Sequence, residues 1–411
     1  MEPLTDAEAR ELAERLADGC EALYTLAELA SRLQQAGRSG RQLRVKLGLD
    51  PTSPDIHLGH TVVLRKIREF QDLGHKAVII IGDYTAKIGD PTGANKTRPM
   101  LTDEQIGANA KTYFEQVSLV LDTSPDKLEV RRNSEWLANL SFADVLKLAA
   151  QITVARMMER DTFDLRYKAG IPIGVHELLY PLMQGYDSIC IRADIEFGGS
   201  DQTFNNLVGR QLQENAAQPP QIVMIMPILV GLDGQEKMSK SKGNYIGITE
   251  PPKEMFGKVM SISDGMMKDW FGLLNHTFRT PLTRGEIDAL LNPARTHPRQ
   301  AKATLGGKIV QTYHGPKAAE DAAAEFDRVF SRKQAPQDMP EIRPASQKMN
   351  IVELVVSAGF AKSKSEARRL VQQKAVTLDD AEITDIGALV ELKDGQVLRV
   401  GKRRFGRITT G

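Results

Sequence analysis

The sequence predicts an α/β fold: a doubly wound parallel sheet with a helical insertion, then a small α-helical domain, then a small α+β domain. Three observations predict it. Between about residues 40 and 230, short apolar, β-branched runs alternate with helical stretches, which is how βαβ units read in a sequence. After Gly247 the texture changes to short helices broken by "PPKE", "TPLTRGEI" and "NPARTHPRQ". Beyond them the polar, proline-containing "SRKQAPQDMPEIRPASQ" reads as a linker to a last compact unit.

Residues 1–39 read as an N-terminal helical segment that includes the amphipathic "CEALYTLAELASRLQQAG". "LRVKLGLD" follows as a buried strand. Val62, Val63, Ile67, Phe70 and Leu73 then fall at helical spacing, Gly74 stops that helix, and "KAVIIIGD" is the next strand. A helical insertion occupies about 102–190. "ADIEFGGSDQ", the helical "TFNNLVGRQLQENAA" and "QIVMIMPIL" repeat the strand–helix–strand pattern and complete a domain at 40–236. The loop and helical domain span 237–330, the linker 331–347 and the last unit 348–411, where "NIVELVVSAG" and "SKSEARRLVQQK" read as helices, "AVTLDD" and "GQVLRVGKRRFGRI" as strands.

Composition excludes several classes. With 411 residues, 41% hydrophobic and 26% charged, the chain can bury a sizeable core. Cys20 and Cys190 form no CxxC pair, which argues against a disulfide framework and a Cys-rich zinc site. The acidic, polar N-terminus and the absence of a long apolar run predict a cytoplasmic protein with no membrane association. The net charge of +1 is unevenly spread: from residue 346 onward there are 12 Lys and Arg against 8 Asp and Glu, so the tail is +4 and the rest −3. That asymmetry suits an RNA-contacting tail, though a solvated basic surface has the same signature.

Chemistry concentrates in two stretches. "DPTSPDIHLGH" lies between the first parallel strand and its helix, where a doubly wound sheet opens its ligand crevice and the helix start presents unpaired N–H groups to phosphate. Gly59 lets a flat base approach the backbone, and His57 and His60 can donate hydrogen bonds to phosphate oxygens. A capped helix start with two surface histidines is the plainer alternative. In "GLDGQEKMSKSKGN", Lys237, Lys240 and Lys242 lie after the last parallel strand, on a loop able to close over the same crevice. Positioned cations there would stabilise the charge that builds on a departing phosphate group.

"HLGH" and "KMSKS" resemble the two signatures of class I aminoacyl-tRNA synthetases. "LGLDPTSPDIHLGH", "AKIGDPTG", "YPLMQGYD" and "FGGSDQ" are similar, in order and spacing, to motifs of bacterial tyrosyl-tRNA synthetases. The resemblance extends to a C-terminal unit like the S-four-type RNA-binding domain. It implies a Rossmann-like catalytic domain and ATP-dependent activation of L-tyrosine to tyrosyl-adenylate, followed by transfer to the 3′ end of tRNA(Tyr). His57, His60, Lys237 and Lys240 would be catalytic, the histidines on the reacting phosphates and the lysines on the departing pyrophosphate. Gly59, Gly199, Asp201 and Lys240 would bind ATP, with Gly59 under adenine and Asp201 on a ribose hydroxyl. Asp90, Tyr180, Gln184, Asp187 and Gln202 would bind tyrosine, Asp90 taking its ammonium and Asp187 its phenol hydroxyl. Tyr180, Gln184 and Asp187 share one helical face by spacing alone.

The same resemblance implies magnesium carried by ATP rather than by the protein, and a homodimer formed through the helical insertion. The tail would contact tRNA through Lys362, Lys364, Arg368, Arg369, Arg403, Arg404 and Arg407. The chain departs from the family at two places. Lys46 stands where many relatives carry a second tyrosine for the phenol, and Ala94 and Asn95 follow "GDPTG" where a lysine is frequent, with Lys96 and Arg98 further on. A tryptophanyl enzyme and a non-catalytic RNA-binding protein on a synthetase scaffold are the alternatives. Asp187 and the C-terminal unit speak against the first, the intact histidines and lysines against the second.

Overall fold

The computed structural model describes residues 3–50, 55–91, 102–331, 339–401 and 404–410. It divides into two compact units, Met1–Ala319 and Glu320–Gly411.

The first unit is built on a six-stranded sheet: β1 (Ala22–Tyr24), β2 (Arg44–Leu49), β3 (Lys76–Ile81), β4 (Leu128–Arg132), β5 (Ile195–Gly199) and β6 (Ile222–Met226). The spatial order is β1-β6-β5-β2-β3-β4, and every pairing is parallel except that of β1 with β6. Val45, Leu47, Ala77 to Ile81, Phe197 and Ile222 to Met226 are all buried, as a sheet covered on both faces requires. The doubly wound architecture read from the sequence is therefore the observed one. Its order reverses between β2 and β5, so the crevice opens where those two strands end.

Two strands escape a periodicity reading. β4 lies inside the stretch read as helical insertion. Its "LEVRR" buries only Leu128 and carries three charged residues because it is an edge strand, and Glu129 is spent on Arg44, 2.9 Å away. β1 interrupts the N-terminal segment read as helical. Thr25 caps the next helix, Leu26–Ser39, by accepting from the Glu28 amide, so the chain before it is free to pair with β6 as a three-residue antiparallel edge.

The helix Leu58–Asp72 follows His57, which is its N-cap, and buries Leu58, Val62, Leu64, Ile67 and Phe70. Helices Tyr180–Ile191 and Thr203–Asn215 cross closely because two glycines meet there: a Cβ on Gly185 would lie 3.2 Å from the Gly209 amide. The later helices Pro252–Ser261, Met267–Leu274, Arg284–Leu291 and Pro298–His314 enclose Trp270, Phe271, Phe278, Leu305 and Ile309. The sequence reading made them a separate domain, but they belong to the same compact unit as the sheet. Trp270 Nε1 donates to the Val230 carbonyl at 3.1 Å and Arg65 to that of His276 at 3.3 Å, which ties them to the sheet and the helix Leu58–Asp72.

In the second unit, helices Ile351–Ser357 and Lys364–Gln372 share a core with strands of a five-stranded sheet. Its strands are β7 (Glu341–Ile342), β9 (Val376–Leu378), β10 (Ala381–Glu382), β12 (Val397–Val400) and β13 (Arg404–Ile408), while β8 (Lys348–Asn350) and β11 (Leu389–Glu391) pair separately. β7 falls within the expected linker. Proline is tolerated at the start of an edge strand, so Pro340 does not prevent Ile342 from pairing beside Ile408 and burying its side chain.

Candidate active site

A pocket of about 750 Å³ opens at the ends of β2 and β5. His57, Gly59, His60, Asp90, Tyr180, Gln184, Asp187, Gly199, Asp201, Gln202, Lys237 and Lys240 all line it. The structure thus brings together every residue that the sequence assigned to ATP or tyrosine.

One wall is basic. The first signature is tied through the backbone to the segment that follows the lysine loop: Leu58 N donates to Ile246 O and Ile248 N to Ile56 O, each at 3.0 Å. The His57 and His60 rings lie 3.8 Å apart. His60 Nδ1 accepts from the His57 amide at 3.2 Å, which puts its proton on Nε2, where it can be donated to a ligand. Burial, reinforced by Lys240 and Lys237, pushes the His60 imidazole down to about 3 and the His57 imidazole further in the same direction, so both are neutral donors at pH 7. His57 Nδ1 is buried with no protein partner. A Cβ on Gly59 would meet the His57 ring at 3.1 Å, so the glycine leaves the approach over the helix start open.

The lysine loop is ordered by Asn244, whose side chain accepts from Ser239 N at 2.8 Å and donates to Asp233 and to the Lys237 carbonyl. Lys237 rests on Asp201 at 2.6 Å. Lys240 lies over the Tyr113 ring, 5.2 Å from its centre, and burial lowers its ammonium to about 8, opposed by Asp55. Lys242, exposed, pairs with Glu236.

The opposite end of the pocket is acidic and deep. Asp90 accepts from Arg160 at 2.7 Å and from Gln202 at 2.6 Å. The Tyr180 hydroxyl donates to Asp50 at 2.7 Å, and burial beside three carboxylates raises its phenol well above the ordinary range. Gln184 donates to Asn206 at 2.9 Å and accepts from Asn205 at 3.0 Å. Asp187 accepts from Trp136 Nε1 at 2.8 Å and Asn133 at 3.4 Å. Burial pushes its carboxyl up to about 7, against the pull of Lys46 and these hydrogen bonds. Neutral imidazoles and lysines at one end suit phosphates; fixed carboxylates at the other suit an ammonium and a hydroxyl.

Asp50, Asn133, Trp136 and Arg160 are functional neighbours that sequence reasoning missed. Asp50 sits at the end of β2 within "LGLDPTSPDIHLGH", and that position in the motif was its available signal. Trp136 is one of only two tryptophans, which was the available signal. Asn133 and Arg160 lie in the stretch read simply as an insertion. Lys46 does not line the pocket, and Ala94, Asn95, Lys96 and Arg98 lie outside the described residues.

In the second unit Lys362, Lys364, Arg368, Arg369 and Arg407 are exposed, and Arg403 lies outside the described residues. Arg404 donates to the Phe360 carbonyl, which brings the start of β13 beside the loop bearing Lys362. Lys364 pairs with Glu353 at 2.7 Å. Arg404 and Arg407, three positions apart on one strand, face opposite sides of the sheet, so the expected row along that strand is split.

Comparison with known proteins follows the same division. The family model of tRNA synthetases class I (W and Y) matches residues 38–331, and that of the tyrosine–tRNA ligase SYY-like C-terminal domain matches 332–408. The chain is 51% identical over 386 residues to the tyrosine–tRNA ligase of Moorella thermoacetica, covering 93% of this chain and 92% of that one. It is 52% identical to the tyrosine–tRNA ligase of Thermotoga maritima, covering 93% and 94%. In fold it resembles the tyrosyl-tRNA synthetase of Aeropyrum pernix, with a TM-score of 0.61 at 20% identity over 78% of this chain and 98% of that one. The Archaeoglobus fulgidus tyrosyl-tRNA synthetase complexed with L-tyrosine gives 0.59 at 24% identity over 78% and 100%.

Proposed function

From the premise that the chain belongs to the tyrosyl-tRNA synthetases of class I, we propose how its pocket divides the labour of the reaction. The enzyme activates L-tyrosine with ATP and transfers it to tRNA. The carboxylate of tyrosine attacks the α-phosphate, the bond to the β-phosphate breaks, and pyrophosphate leaves with its electron pair. A hydroxyl of the terminal ribose of the tRNA then attacks the tyrosyl carbonyl carbon, the bond from that carbon to the phosphate oxygen breaks, and AMP leaves.

Asp187 receives the phenol hydroxyl and Asp90 the ammonium, with Tyr180, Gln184 and Gln202 completing the amino-acid site. Asp201 takes a ribose hydroxyl, Gly59 and Gly199 flank the nucleotide, and His57 and His60 donate to the reacting phosphates. Lys237 and Lys240 hold the departing pyrophosphate, for which Lys237 exchanges its present partner Asp201. Magnesium arrives with ATP as part of the substrate. No protein nucleophile is needed, because positioning and electrostatic stabilisation supply the catalysis. The observation that carries this reading is the polarity of one pocket: neutral imidazoles and two lysines at its phosphate end, carboxylates at its far end.

The working form is a cytoplasmic homodimer. Phe142, Leu146, Val154, Leu165, Tyr167 and Val175 on the insertion are 55% to 79% exposed, apolar side chains that a second copy would cover. Among the described residues no helix is long and apolar enough to cross a membrane. The exposed cations of the second unit track tRNA phosphates and act through affinity rather than base reading.

Ending the chain after residue 331, where the two family matches meet, tests this division. The shortened protein is expected to keep tyrosine-dependent pyrophosphate exchange and its dimeric sedimentation, while tRNA charging falls and loses part of its salt dependence. Charging equal to that of the full chain at two salt concentrations would remove the tail from tRNA binding. A full-length protein that sediments as a monomer would remove the dimer.

A further inference from the structure

We propose that Lys46 is a positioning residue for tyrosine recognition, acting from beneath the helix Tyr180–Ile191 on the turn that carries Gln184 and Asp187. The proposal rests on the assignment of Asp187 to the phenol made above. Lys46 is 0% exposed and stands on β2 below the pocket floor. Its Nζ lies 2.7 Å from Ser188 Oγ, 2.9 Å from the Gln184 carbonyl and 2.8 Å from Glu196 Oε1. Those contacts use all three donors of an ammonium. Two of them belong to the helical turn in question, and the third is to a carboxylate on the neighbouring strand β5.

Glu196 is equally buried and is reached in turn by Ser188 Oγ at 3.3 Å, by Gln184 Nε2 at 3.4 Å and by Gln221 Nε2. A buried ion pair is a poor stabilising device, because the cost of desolvating both charges offsets much of their attraction. What it does provide is a fixed, unscreened field under the residues that read the substrate.

The groups around Asp187 show which way that field acts. Asn133 and Trp136 donate to it from the segment after β4, with Arg131 stacked on the far side of the indole at 5.3 Å. Tyr180 and Cys190 share its helix, and Asp50 faces the Tyr180 hydroxyl from the end of β2. Below lie Lys46, which favours the ionised carboxylate, and Glu196, which opposes it. An ionised Asp187 is the acceptor that a phenol hydroxyl needs. Its raised pKa means that this acceptor is gained as pH rises through about 7 and lost as pH falls. Removing the Lys46 charge should move that transition up, and removing the Glu196 charge should move it down.

The experiment is the pH profile of kcat/KM for tyrosine in pyrophosphate exchange, which reports ionisations of the free enzyme. Lys46→Met, Glu196→Gln and the double variant are compared with the natural chain, and KM for ATP is followed throughout. The expected result is an acid limb displaced upward in Lys46→Met and downward in Glu196→Gln, with the charge-free double variant between them. A displacement of one unit would cost Lys46→Met about tenfold at pH 6, largely recovered at pH 9, with KM for ATP unchanged. A role in packing alone cannot move two limbs in opposite directions. If Lys46→Met does not fold, the Glu196→Gln and double variants decide by the same criterion. Limbs that coincide in all variants, or losses that are equal at every pH, would overturn the proposal. An Asp187→Ala arm separates the causes: an intact preference for tyrosine over phenylalanine there overturns the phenol assignment and this inference with it. A collapsed preference with unmoved limbs overturns the inference alone.

Discussion

Replacing Lys240 by alanine is expected to slow tyrosyl-adenylate formation about 30- to 1000-fold, a loss of about 2–4 kcal/mol of transition-state stabilisation. Tyrosine binding should hardly change. The asymmetry follows from where the lysine sits. Lys240 lies at the phosphate end of the pocket, over Tyr113, while the amino-acid contacts come from other elements. Its ammonium meets charge that develops only as pyrophosphate departs, so the loss appears in rate rather than in KM for tyrosine. A pH signature accompanies it. Burial lowers this ammonium to about 8, so its charge is present below that pH and lost above it. The wild-type kcat/KM for ATP should therefore fall on the alkaline side, and that limb should vanish in Lys240→Ala. Pre-steady-state adenylate formation measures the first effect, and an unchanged rate would refute the role.

Asp187→Ala is expected to collapse the preference for tyrosine over phenylalanine, with the ratio of kcat/KM values falling by several powers of ten. A site built to pair a hydroxyl leaves buried polar groups unsatisfied when the hydroxyl is missing. Tyrosyl-tRNA synthetases are themselves the reference case for this effect, at about 10⁵-fold, and that magnitude is taken over from the family rather than derived. The structure makes the case depend heavily on one residue. Lys46, at the position where a second phenol contact was in question, is buried below the pocket and turned to Glu196 and Ser188. The indole of Trp136 and the amide of Asn133 already donate to Asp187, so they orient the carboxylate for a third donor. A ratio left intact by the substitution would mean that another group reads the phenol.

What the sequence made legible follows a physical rule. Buried parallel strands are mostly apolar runs: β3 and β6 are legible as such, and β2 and β5, interrupted by Lys46 and Glu196, are legible through the apolar residues around those charges and the strand–helix alternation. β4 was not, because an edge strand half open to solvent carries Glu129, Arg131 and Arg132. β7 and β1 are two and three residues long, too short for any period to register. Motif residues near strand ends were legible because local geometry brings them to the crevice. Trp136 and Arg160 come from the insertion to hold two carboxylates of the pocket through tertiary packing, and nothing in their local spacing announces a contact with Asp187 or Asp90. Lys46 was visible as a departure from the family pattern, but its buried partner Glu196 lies 150 residues away and only the register of β2 beside β5 joins them.

The most direct measurement of the central claim is amino-acid-dependent exchange of labelled pyrophosphate into ATP, run with each of the twenty amino acids on the full chain. The account predicts strong exchange with tyrosine, and none comparable with phenylalanine or tryptophan. Exchange with tryptophan alone, or with no amino acid, would contradict it.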